Sequence, residues 1–167
     1  KEPMINGTMG FQRPGQDNNR SRRLSGLLAA SDSIDYKKFK EIKYDRNYPE
    51  YLGSRNLANL EEIMDVDITK QPHLKDAVEL IQKWDRGTDL DNQSAALFIL
   101  IATNITSKLR EEHRLRRAVR INEEDIVYGF EQAIDYLMEH YGKLDVTIRE
   151  FQVHSRGDVE IPIAGGP

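Results

Sequence analysis

The chain has 167 residues, 38% hydrophobic and 31% charged, with 24 Lys and Arg against 28 Asp and Glu and no cysteine. That length supports one good core, as a single domain or a piece of a larger one, and the composition is that of a solvated, helix-rich protein rather than a disordered one. A net charge of −4 argues against a nucleic-acid or membrane partner; the missing cysteines exclude a disulfide framework and thiolate chemistry but leave the compartment open.

Residues 1–16 are Gly- and Pro-rich without a period and read as a loop or linker. Helices are expected from there to about 145. The first runs over 18–30 behind Asp17 as cap, and the second follows Ser33 or Asp35, with Tyr36, Phe39 and Ile42 at helical spacing. Pro49 and Gly53 break that pattern. A third helix behind Ser54 would place Leu57, Leu60, Ile63 and Met64 on one face. A fourth, with Pro72 in its first turn and Gly87 at its end, aligns Leu74, Ala77, Val78, Ile81 and Trp84. The longest apolar run, AALFILIA at 95–102, is far shorter than the ~20 residues that span a bilayer. It opens a long helix over about 92–116 whose first half should be central and whose charged second half should emerge into water. Asn122 caps the clearest amphipathic segment, which runs from Ile126 to Tyr141 before Gly142. The ending alternates instead: Ile148, Glu150, Gln152 and His154 oppose Arg149, Phe151 and Val153 around a Gly-Asp turn. Residues 146–167 are therefore expected to form a β-hairpin, and because two strands alone are marginal in water, it should belong to a sheet supplied by other chain. The opening KEPMING, without initiator Met or signal peptide, and the stop at IPIAGGP carry the same expectation of a piece of a longer protein.

Three arginines near the start pose a geometric question. At roughly 100° per residue, Arg20 projects near the middle of the stripe formed by Leu24, Leu27 and Leu28, Arg23 falls at its margin and Arg22 points away. The leucine side is expected to be buried, with Arg22 solvated and Arg20 facing inward. A cation in the first helical turn opposes the helix dipole, so an anion should lie near Arg20. Either an internal carboxylate or a functional anion would serve, and the pattern alone does not choose.

Other motifs reduce to structure. Glu111 and Glu112 interrupt the basic run at 110–120 and no aromatic interleaves with it, which fits a solvated helix end. His73, His113, His140 and His154 fall on separate elements without ligand spacing. The stretch DRGTDLDN from Asp85 resembles a calcium loop but lacks the central Gly and closing Glu, leaving a cap-and-turn cluster. The RGD at 156–158 is explained by a hairpin turn, and three sequons carry no weight without secretion through a glycosylating pathway. There is no GxSxG, P-loop or GxGxxG, so an attacking group, if the parent is an enzyme, lies elsewhere.

Four stretches in order, MGFQRPGQDNNRSRRLSGLL, YKKFKEIKYDRNYPE, LIQKWDRGTDLDNQSAALF and FQVHSRGDVEIPIAGGP, together resemble the central to later part of the β subunit of penicillin acylase-like amidohydrolases, the group that includes acyl-homoserine lactone acylases. The resemblance implies a mainly α, bundle-like fragment with a C-terminal hairpin, part of a larger αββα N-terminal nucleophile hydrolase fold. It implies a periplasmic or secreted bacterial enzyme in which a serine, exposed by self-cleavage as the first residue of its subunit, attacks the amide of an N-acyl compound. Residue one here is Lys1, so this piece alone should be inactive. By family position Arg20 is the active-site arginine near the oxyanion-binding asparagine; Asn18 is a substitute candidate for that asparagine, the family's own being expected outside the chain. His154 to Gly157 match the family's H.RG and read as a turn. Implied partners are the N-acyl substrate and the rest of the parent's α and β subunits. No cofactor is implied, and any structural calcium of the parent lies outside this segment. The rival reading is a free-standing helical interaction module whose arginines bind an acidic partner; it predicts a self-sufficient core with no exposed apolar sheet edge.

Overall fold

The computed structural model describes residues 18–54, 56–116 and 118–166. Six α-helices in chain order are α1 (Asn19–Ala29), α2 (Tyr36–Lys43), α3 (Lys75–Gln82), α4 (Ala95–Glu111), α5 (Glu123–Tyr141) and α6 (Ile148–Phe151). Strands β1 (Val153–Arg156) and β2 (Val159–Pro162) close the chain as an antiparallel hairpin. The chain is mainly α with a short hairpin. No helix of the described residues is long and apolar enough to cross a membrane.

The core is built on α4 and α5. Leu97, Ile101, Ile105 and Leu109 of α4 and Phe130, Ala133 and Leu137 of α5 are all 0% exposed, each large side chain contributing roughly 1.5–3 kcal/mol by burial. Gly129 lets the two helices approach: a Cβ there would stand 2.7 Å from Ile105 Cγ1 and 3.0 Å from the Ile101 carbonyl oxygen. Since the carbonyl belongs to α4's own backbone it has little freedom to give way, and Gly129→Val is expected to cost about 1–3 kcal/mol by overpacking, read as a lower denaturation midpoint.

Helix α5 is specified locally at both ends. Asn122 and Asp125 form a capping box, and Gly142 takes the left-handed conformation (φ 69°) that ends the helix. Elsewhere tertiary contacts move the expected boundaries. The third expected helix is only a 3-10 turn at Leu60–Asp65. Upstream of it, Leu57 bridges Val119 and the Asn59 side chain clamps the backbone of Ile121 from both sides, so 56–59 is drawn out of helical form. The following helix stops at Gln82, before Gly87, because Trp84 turns into the core and its indole N–H donates to the Gly87 carbonyl. Helix α4 starts at Ala95, with the Asn92 side chain accepting from the amides of Ser94 and Ala95. It ends at Glu111, not near 116, where His113 adopts φ 55° and the chain turns to bring Arg114 back to Asp125. Its second half does not emerge into water as expected: α5 covers Ile105 and Leu109, and only the last residues are exposed.

The region expected as a hairpin from 146 begins with a helical turn. Thr147 accepts from the Glu150 amide and Glu150 accepts from the Thr147 amide, a T-x-x-E capping box that prevails over the alternating pattern. Strand pairing starts at Val153.

Candidate active-site groove

Helix α1 has no buried residue. Leu24 and Leu28 are 42% and 43% exposed, so the leucine face expected to be buried is not covered by the described residues. The face is directed instead into an open groove of about 1690 Å³, whose walls include α1, α2, residues 44–54, one side of α4 and residues 164–166. Ile34 and Phe39 extend its apolar lining and are also exposed.

The strap of residues 44–54 positions α1. Asn18, rather than Asp17, is the cap: its Oδ1 accepts from the Ser21 amide at 2.8 Å. Asp17 lies outside the described residues. Asn19 Oδ1 accepts from the Gly53 amide at 2.8 Å, and Arg23 donates to both oxygens of Asp45 at 2.9 and 2.8 Å. The internal ion pair thus belongs to Arg23, while Arg20, which was to occupy the middle of the buried face, is exposed and donates through Nη2 to the Lys43 carbonyl at 3.3 Å. That carbonyl lies at the C-terminal end of α2, the negative end of a helix and a favourable neighbour for a guanidinium. Arg22 is exposed but not directed away from the groove: it lines it, its guanidinium lying where a Gly53 side chain would begin. The Asn18 cap uses its Oδ1, and its side-chain NH2 is the group an oxyanion would require.

Hydrogen bonds from Arg23 outweigh the cost of burial and hold Asp45 below the usual carboxyl range, helped by the Asn47 amide and the nearby charge of Arg20. The stabilisation from Asp45 is therefore present in full above the ordinary value of about 4 and is lost as pH falls through the lowered folded value. Denaturation series between pH 2 and 6 should show a smaller acid-induced loss in Asp45→Asn than in the wild type.

Parts of the motifs that carried the family resemblance meet at one side of this groove, where Arg46, Tyr48, Thr88, Phe98 and residues 164–166 line it. Arg86 donates to both oxygens of Glu61 at 2.9 and 3.0 Å, and Leu52 N–H donates to the same carboxylate. The Tyr48 amide donates to the Arg86 carbonyl at 2.8 Å, Thr88 Oγ1 to the Arg46 carbonyl at 2.5 Å, and the Gly165 amide to the Thr88 carbonyl at 3.0 Å. Tyr48 packs edge-on against Trp84 and Phe98, with ring centroids 5.5 and 5.7 Å away, and Gly166 lies so close to the Tyr48 ring that a Cβ would collide with it. NYPE, DRGT and AGG are thereby one assembly. Burial pushes the Tyr48 phenol up to about 12, so it stays protonated at neutral pH.

A family model described as Penicillin amidase matches residues 4–156. The chain belongs to this family. No curated protein matches it. The penicillin amidase match spans α1, the strap, the DRGT turn and β1, so the fold elements that line the groove, apart from 164–166, are family elements. Membership makes the chain an amidohydrolase-like piece.

Asp45, Glu61, Arg86 and Thr88 had no assigned role in the sequence. The motifs of Asp45, Arg86 and Thr88 were visible as family signatures and Glu61 stood outside them, but each pairing joins segments 22 to 42 residues apart, and no periodicity reports such pairing. His154 lies on the hairpin and is exposed, and it does not line the groove.

Proposed function

We propose that the chain forms part of the β subunit of a periplasmic or secreted, self-processed amidohydrolase that cleaves N-acyl compounds, either a β-lactam side-chain amide or an acyl-homoserine lactone. The observation carrying this reading is the convergence of the family motifs on one groove with Arg20 at its rim. In the reading the nucleophile is a serine at the start of the parent's β subunit, its free amino group acting as base. Arg20 supplies a fixed positive charge beside the developing oxyanion, and Asn18 is the candidate donor to that oxyanion within this chain. The apolar lining contributed by Leu24, Leu27, Leu28 and Phe39 suits a cleft completed by the remaining α- and β-subunit segments. Its volume exceeds the roughly 300–1,000 Å³ of ordinary small-molecule pockets. No cofactor, nucleic acid or membrane enters the reaction, and any structural calcium belongs elsewhere in the parent.

The rival interaction module has fewer free cations than its sequence suggested. Arg23, Arg114 and Arg120 are engaged with Asp45, Asp125 and Glu62, and Val159, Ile161 and Ile163 of the hairpin region are exposed, as a piece of a larger sheet requires. The deciding experiment is amide hydrolysis by the full-length, self-processed parent on a panel of N-acyl chromogenic amides. Release of the chromophore by processed protein and not by the uncleaved precursor is expected; no turnover of any panel member would sink the reading.

A further inference from the structure

The two edges of the hairpin are not equivalent. The Ile163 amide donates to the Gln152 carbonyl at 2.9 Å, and the register pairs Val153 with Pro162, His154 with Ile161, Ser155 with Glu160 and Arg156 with Val159. Hydrogen-bonded and non-hydrogen-bonded pairs alternate along an antiparallel ladder. Pairs 152–163, 154–161 and 156–159 therefore face each other, and the backbone groups of Val153 and Ser155 point outward from β1 while those of Glu160 and Pro162 point outward from β2. Proline has no N–H. The outer edge of β2 is left with Glu160 as its sole strand donor, whereas β1 presents two donors and two acceptors at the spacing an added strand needs. Proline on an edge is a device that blocks pairing.

Every residue of β1 is exposed, and among the described residues the sheet has no third strand. Arg156 stands opposite Val159 and forms no ion pair among the described residues, so a carboxylate on a further strand beside it would complete a cross-strand pair.

We infer that β1, and not β2, is the edge at which the hairpin is extended, by an extended segment of the parent polypeptide that carries an acidic residue beside Arg156. This rests on the reading of the chain as part of a larger amidohydrolase. The β2 edge then marks the sheet's boundary or faces a connection that needs no ladder.

Residue-resolved amide exchange on the full-length processed parent tests this. The Val153 and Ser155 amides are expected to exchange at least about a hundredfold more slowly than the Glu160 amide, as ladder amides do relative to open ones. Equal exchange at the three positions, or a protected Glu160 beside open Val153 and Ser155, would overturn the assignment. A paired substitution gives a second readout, because each variant removes one outward donor. Ser155→Pro is expected to lower the yield of processed parent several-fold and Glu160→Pro to leave it near wild type; equal or inverted yields count against the proposal. Protected Val153 and Ser155 in a parent that hydrolyses no amide would support the pairing and count only against the catalytic reading.

Discussion

Arg20→Ala in the full-length, self-processed parent is expected to lower kcat for amide hydrolysis about a hundredfold while leaving self-cleavage intact, the scale of losing one oriented charge beside an oxyanion. Arg20 is exposed in this chain and tethered through one hydrogen bond, to the Lys43 carbonyl. Its structural contribution is therefore small, under about 1 kcal/mol for a single exposed contact. A large loss of turnover with little change in the denaturation midpoint separates a catalytic role from a tether. Arg20→Lys supplies a further check, since lysine keeps the charge but not the planar fork of donors: partial recovery of kcat is expected. Unchanged turnover in Arg20→Ala would reduce the residue to a link between α1 and α2 and leave family membership as the support for an enzymatic parent. Arg23→Met should show the opposite pattern, lower stability through the loss of Asp45's partner with kcat affected only as far as α1 shifts.

Asp125→Asn carries the largest expected stability effect, about 2–4 kcal/mol, because it removes the charge that balances two cations at a buried site. The carboxylate is fully shielded from solvent. It accepts from Arg114 Nη1 and Nη2 at 2.9 and 2.8 Å and from the Asn122 amide at 3.2 Å, and Lys108 Nζ stands 3.2 Å away. Burial by itself pushes Asp125 up; the bonds from Arg114, the Asn122 amide and Lys108 together overcome that and hold it below the usual range. Its stabilisation is accordingly complete above about pH 4 and is lost as pH falls through the lowered folded value. For a chain of this size the loss corresponds to a fall in Tm of roughly 5–15 °C. Arg114→Met alone should cost less, because Lys108 still neutralises Asp125 and Arg114 is partly exposed. The double variant should cost clearly less than the sum of the singles; strict additivity would show that the pair does not act as a unit.

Periodicity and capping chemistry made the helical class and helices α1 to α5 legible. Asn122 with Asp125, Gly142, Asp35 and the apolar run at 95–102 each act within a few residues of where they stand in the chain, so local sequence was enough to place α5, α2 and the start of the core. The Thr147–Glu150 box was equally local and was hidden only by a competing alternation. Ordered family stretches likewise sufficed for the family. The fate of α1 was not legible: an amphipathic stripe states that a face seeks cover, but not whether the cover lies in the same chain, and here it faces a groove. Nor did helical phase determine which of three neighbouring arginines meets the carboxylate, because that depends on where a strap 22 residues later crosses the helix. What the sequence by itself determined is therefore the helical class, α5 with the caps at both its ends, the Asp35 cap of α2, the apolar start of α4, the hairpin turn and the family, all set by interactions between near neighbours. What only the tertiary structure decided is the pairing of Arg23 with Asp45, of Arg86 with Glu61 and of Arg114 with Asp125, and the open edge of β1, because these depend on how distant segments are brought together in space.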